Sequence, residues 1–215
     1  MIVTGRPGAG KSTLAPLLGD ALGMPVVSRD KIKEGYCRTR GKGHADLPRE
    51  ANGTINDIFA NVLASLIDGG VSAIAEAAFQ HRVWAPLLAP FAERARIRII
   101  ICATDDATAY NRYIARSRAD PRHAYYHGFA YAAPAESPKP HSCRGGILPP
   151  ESSYSAPVDG VIAPLPPPES SNGVLAPPLP PYDEPRVHAP TFRVDTTGAY
   201  SPSISELCMM VMQAL

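Results

Sequence analysis

The sequence has no paired Cys-x-x-C, no long apolar run and almost no excess of charge of either sign, and each absence removes a class of protein. Its four cysteines, Cys37, Cys102, Cys143 and Cys208, are widely separated. That spacing argues against a disulfide frame or a zinc knuckle and predicts free thiols in a reducing cytosol. No stretch approaches the roughly eighteen apolar residues of a membrane span, and no basic segment leads into an apolar run at the N-terminus. A soluble, cytoplasmic protein with no membrane partner is therefore expected. The formal net charge is +1, which argues against a broad electrostatic surface for duplex nucleic acid or anionic lipid; any polyanion contact has to be local. What remains is a chain of 215 residues with 45% hydrophobic content, enough for one domain with a sizeable core.

Directly after the apolar segment Ile2-Val3-Thr4 comes Gly5-Arg6-Pro7-Gly8-Ala9-Gly10-Lys11-Ser12-Thr13, which satisfies every fixed position of the phosphate-binding pattern G-x-x-x-x-G-K-[ST]. Glycines let the backbone approach an oxyanion closely, so consecutive amides can surround a β-phosphate. Lys11 adds a charge for the β- and γ-phosphates and Ser12 a hydroxyl for Mg²⁺. The helix beginning here directs the positive end of its dipole at the same anion. All nine residues, Gly5 to Thr13, are assigned to nucleotide binding.

Apolar runs and helical patterns alternate along the rest of the chain. Strands are expected at Ile2–Thr4, Pro25–Ser28, Val71–Ala77, Arg96–Ala103 and Thr191–Thr196, read as buried parallel strands. Ile55, Ile58, Phe59, Val62, Leu63, Leu66 and Ile67 form the stripe of a long amphipathic helix that Gly69-Gly70 ends. Further helices are expected over Lys11–Leu22, Asp30–Arg38 and Asp106–Arg118, and Ser203-x-x-Glu206 has the form of a capping box opening the last one. This order predicts an α/β three-layer fold, a five-stranded parallel sheet flanked by helices with ligands at the carboxyl ends of its strands. Between 132 and 190 lie sixteen of the twenty-four prolines, and Pro-Pro-Glu-Ser-Ser occurs at 149–153 and again at 167–171. Such a stretch cannot supply a packed core. It reads either as a lengthened, disordered surface connection or as a docking segment for a protein partner. The expected organisation is a core of 1–131, an insertion of 132–189, and a final strand and helix in 190–215.

Three places outside the phosphate loop carry chemistry. Asp30 follows the second strand, where a carboxylate could take the proton of an acceptor hydroxyl; it could equally cap the next helix. Lys33, one turn on, could steer an anionic substrate group or simply be solvated. Glu76 is the lone charge in an apolar strand and could order Mg²⁺ or hold substrate, or be a solvated strand-end group. Arg112 and Arg116 share one helical face and could close on a transferring phosphoryl group as a lid, or form a basic surface.

With loop, aspartate, glutamate and arginine helix in this order, the chain resembles the small P-loop kinases of the AAA_33, zeta-toxin, polynucleotide-kinase and chloramphenicol-phosphotransferase type, over about 1–131 and 190–215. Arg29-Asp30-Lys31-Ile32-Lys33 looks most like the kinase half of polynucleotide kinases. The resemblance implies that Lys11, Asp30, Arg112 and Arg116 are catalytic, with Arg118 and Arg122 as further lid arginines. It implies that Ser12 and Glu76 hold Mg²⁺ and that Asp195 and Thr196 contact adenine. ATP is expected over GTP because no Asn-Lys-x-Asp guanine reader occurs. The expected activity is transfer of the γ-phosphoryl group of ATP to a hydroxyl of a small molecule or a nucleic-acid 5′ end, with the acceptor pocket sought in Lys33–Ala51 and Phe79–Trp84. The rivals are an ATP-hydrolysing switch acting on a protein partner, and an adaptor whose nucleotide fold is vestigial.

Overall fold

The computed structural model describes residues 1–127 and 181–213. Five parallel strands, β1 (Ile2–Thr4), β2 (Val26–Ser28), β3 (Ile74–Glu76), β4 (Ile99–Ala103) and β5 (Thr191–Asp195), form one sheet in the order β2-β3-β1-β4-β5. The helices are α1 (Lys11–Leu22), α2 (Arg29–Arg40), α3 (Ala51–Asp68), α4 (His81–Leu88), α5 (Asp106–Ala119), α6 (Pro121–His127) and α7 (Ile204–Gln213).

Alternation along the strands sends side chains to opposite faces, and the protein uses both. Ile2, Ala75, Ile99 and Ile101 pack with Phe59 and Leu63 of α3 and Trp84 and Leu88 of α4. Val3, Ile74, Ile100 and Val194 pack on the other side with Leu14 and Leu18 of α1 and Leu207 and Val211 of α7. The result is the three-layer P-loop fold. Because α1 and α4 cover opposite faces, the adjacent carboxyl ends of β1 and β3 border the crevice where such sheets bind ligands.

Not every strand is buried as expected. Strands β2 and β5 stand at the two edges, and most of their residues are partly exposed. On α3 the stripe faces the sheet through Ile55, Phe59 and Leu63, while Ile58 and Val62 lie on its exposed flank. The expected capping box is present: Glu206 Oε2 accepts from the Ser203 amide at 2.9 Å, and Ser203 Oγ lies 3.3 Å from the Glu206 amide.

Most of the Pro-rich stretch lies outside the described residues, but its end does not. Residues 181–189 run along the core, with Val187 and Ala189 against the α3–α4 side. The Asp183 carbonyl accepts from the His81 amide at 2.8 Å. Proline content groups these residues with the insertion, yet their apolar and aromatic side chains anchor them to the sheet.

Candidate active site

The phosphate loop is fixed from below and from both sides. Thr4 ends β1 fully buried, and its hydroxyl donates to the Ala77 carbonyl at 2.9 Å while accepting from Trp84 Nε1 at 2.9 Å. The Tyr182 hydroxyl is 2.7 Å from the same oxygen. Gly8, at φ +80°, lies so close to α5 that a Cβ there would be 2.0 Å from the Ala109 carbonyl oxygen, an approach open only to glycine. Arg6 is ion-paired with Asp106 in the first turn of α5. Thr196 is buried, with its hydroxyl 2.9 Å from the Ala9 carbonyl oxygen and 3.0 Å from that of Ala103. Its side chain therefore braces the loop from inside the fold.

Lys11 opens α1 and is 5% exposed, its Nζ donating to the Arg6 carbonyl at 2.8 Å. Burial holds its pKa below the ordinary lysine value, and the negative charges of Glu76 and Asp30 oppose that shift. Ser12, next on the helix, is exposed.

Across the crevice, Ser28 and Glu76 are register partners on β2 and β3. Ser28 Oγ donates to Glu76 Oε2 at 2.6 Å. Glu76 is 2% exposed and its other oxygen, Oε1, is buried without a hydrogen-bond partner. Burial raises its pKa above the ordinary glutamate value, against the pull of Lys11 and Ser28. A solvated strand-end carboxylate is thus ruled out. The orphaned oxygen suits a cation or a cation-bound water, so Glu76 and the Ser12 hydroxyl fit Mg²⁺ shared with substrate phosphates rather than a closed protein cage. Among the described residues, no group of three or more His, Cys, Asp or Glu is arranged to hold a metal by itself.

Asp30 sits in the first turn of α2, which begins one residue earlier than expected, at Arg29. Ser28, not Asp30, is the cap, accepting from the Lys31 amide at 3.5 Å. The Asp30 carboxylate is 41% exposed and lies 3.6 Å from Arg29 Nη1. Arg29 is anchored on α3 through Asn56 Oδ1 at 3.2 Å and Asn52 Oδ1 at 2.9 Å.

The two arginines of α5 separate in role. Arg112 Nη2 donates to the Thr197 carbonyl at 2.8 Å, beside Asp195, whose carboxylate accepts from the Thr197 amide at 2.7 Å. Arg116 lies within electrostatic reach of Lys11 and Glu76. Arg122 pairs instead with Asp120 at 3.1 Å.

A family model described as an AAA domain matches residues 1–128. The chain belongs to this AAA domain family. No curated protein sequence matches the chain. Among solved structures, a candidate kinase from Chloroflexus aurantiacus J-10-fl is similar over 100% of this chain and 97% of its own, with 20% identity and a TM-score of 0.64. A gluconokinase from Sinorhizobium meliloti 1021 is 16% identical over 54% of this chain and 64% of its own, at a TM-score of 0.39. A shikimate kinase from Acinetobacter baumannii in complex with shikimate is 20% identical over 54% and 64%, at 0.40. The first likeness establishes the fold that the AAA domain family assignment implies.

Within that AAA domain the carboxyl ends of β1, β2 and β3 bring together Lys11, Asp30 and Glu76, and α5 brings Arg116. Asp195 and Thr196 stand at the other side of the loop with Arg112. Phe79 and Trp84, sought as acceptor-pocket residues, are core instead. They form an aromatic cluster with Phe59, with ring centroids 5.0 to 6.3 Å apart. Sequence reasoning gave no role to His44, within the Lys33–Ala51 range searched for the acceptor pocket, or to His123 beside the arginine helix. His44 Nδ1 is 2.8 Å from Lys33 Nζ, and His123 packs edge-on against Tyr113 at 5.8 Å. Isolated histidines in polar text give no periodic signal, and only the packing of α6 on α2 and α5 brings His123 to the site.

Proposed function

We propose that the protein is an ATP-dependent kinase that transfers the γ-phosphoryl group to a hydroxyl of an acceptor. The observation that carries this reading is the half-exposed carboxylate of Asp30, in the first turn of α2 just past the carboxyl end of β2 and within the electrostatic reach of Lys11. In the reaction the acceptor oxygen forms a bond to the γ-phosphorus, the bond from that phosphorus to the β–γ bridging oxygen breaks, ADP leaves, and the acceptor proton passes to Asp30. The loop amides and Lys11 hold the β- and γ-phosphates, and Arg116 meets the charge spread over the transferring oxygens. Ser12 and Glu76 would hold Mg²⁺, which neutralises phosphate charge when bound. Arg112, Asp195 and Thr196 flank the adenine end. The working unit is 1–131 with 190–215 together with 181–189, the described end of the 132–189 insertion, which packs on the core.

Water as the acceptor is the competing reading, favoured by the unpartnered Glu76 Oε1, which could orient it. Both readings need the phosphate loop. Lys11→Ala should lose ATP binding measured by calorimetry together with all phosphate release; wild-type ATP affinity in that variant would contradict the loop assignment.

A further inference from the structure

Beside Asp30, among the described residues, stands more positive charge than neighbouring carboxylates pair with. Lys33, one helical turn along α2 on the same face, is 4% exposed, and its Nζ is 2.8 Å from His44 Nδ1. An ammonium only donates, so this His44 nitrogen accepts and carries no proton. Burial, Lys33 and neighbouring positive charges push the His44 pKa down, and an imidazole in any case brings no negative charge to this buried lysine. Arg29 adds a second cation, bound to two neutral asparagines and 3.6 Å from Asp30. The next carboxylate along the helix, Glu34, is already engaged by Lys31 at 2.9 Å and by His127 at 3.1 Å. Among the described residues two cations thus share one carboxylate, and that carboxylate is the proposed base. Buried charge of this kind is costly unless an opposite charge meets it.

This part of α2 is also covered. Helix α6 packs on α2 and on the short turn His44–Asp46, with His127 on Glu34. The Tyr125 ring lies so close to Gly43 that a Cβ there would be 2.8 Å from it. Tyr113 and His123 close the α5 side.

Resting on the kinase reading, we infer that the acceptor is a small anionic molecule whose phosphate or carboxylate group sits on Lys33 and Arg29 while its hydroxyl meets Asp30. Two measurements test this on the full chain. With the loop saturated by a non-hydrolysable ATP analogue, calorimetry with inorganic phosphate and with acetate should show a single site for at least one of them. Lys33→Met should weaken that site about tenfold or more, and Lys33→Arg should keep it within about threefold. Lys33→Gln serves in place of Lys33→Met if the latter melts early. Absence of binding, or unchanged binding in the variants lacking the charge, overturns the inference. Phosphate-only binding identifies a phosphate ester, and acetate-only binding a carboxylate. In the second measurement, γ-labelled ATP is offered with glycerol 3-phosphate against glycerol, gluconate against glucose, and a short 5′-hydroxyl oligonucleotide. Preference for an anionic member over its neutral parent supports the inference; equal use of neutral parents, or labelling of the oligonucleotide alone, overturns it. Failure of the kinase reading looks different, since label then reaches no acceptor while the calorimetric anion site persists.

Discussion

The hydroxyl of Ser28 accepts from the Lys31 amide in a long 3.5 Å contact while donating to Glu76 Oε2 at 2.6 Å, so one side chain both starts α2 and orients the buried carboxylate. Ser28→Ala should therefore cost about 1–3 kcal/mol of stability in denaturant unfolding, the sum of a lost cap and a lost bond to a buried carboxylate. A change below a few tenths of a kcal/mol would mean that neither bond matters. The place of Asp30, at the start of α2 just after β2, was legible from sequence because a strand ending in a carboxylate is a local pattern. The Ser28 bond to Glu76 was not, because it depends on the register of β2 against β3. Lys33 was legible as a candidate only. What distinguishes it from a solvated lysine is its burial beside a neutral His44, a fact of packing between α2 and the turn that follows it.

Among elements, α1, α3 and α5 could be drawn from the sequence because each carries a helix-start signal or an apolar stripe. Helices α4 and α6 could not. The first has eight residues with Pro86 inside it, and the second has seven and begins at Pro121, too short for a period of 3.6 to be counted. Yet α6 packs on α2, α5 and the His44–Asp46 turn, and its attachment should respond to pH. The bond from His127, helped by Lys31, lowers the Glu34 pKa from 4.5 to about 2. A carboxylate depressed in the folded state stabilises above its unfolded pKa and loses that contribution as pH falls through the folded value. Wild type should exceed Glu34→Gln by about 1 kcal/mol near neutrality, after allowance for solvent screening. The gap should close between about pH 4.5 and 2, followed by circular dichroism. A gap that stays constant down to pH 2 would show that the ion pair does not hold α6.

For the whole molecule, the sheet, its two packed faces and the place of the phosphate loop followed from alternation and one motif. The strand order β2-β3-β1-β4-β5 puts β1 at the centre, which no local pattern states. The return path to β5 was hidden by composition, since proline-rich text continues to Pro190 whereas the described residues are anchored from Pro181 on, its carbonyl accepting from Gln80 Nε2 at 3.2 Å. Tyr182 links this return path to the base of the phosphate loop through Thr4. Tyr182→Phe should lower stability by about 1 kcal/mol and weaken ATP binding measured by calorimetry. Unchanged values for both would make the contact incidental. The account as a whole rests on transfer to a hydroxyl with Asp30 as base. Its most direct test follows label from γ-labelled ATP into hydroxylated metabolites, antibiotics and oligonucleotides, with wild type and Asp30→Asn side by side. The account predicts a labelled acceptor with wild type, and about a hundredfold or greater loss of transfer with retained ATP binding in Asp30→Asn. Label recovered only as free phosphate, or full transfer by the variant, would contradict it.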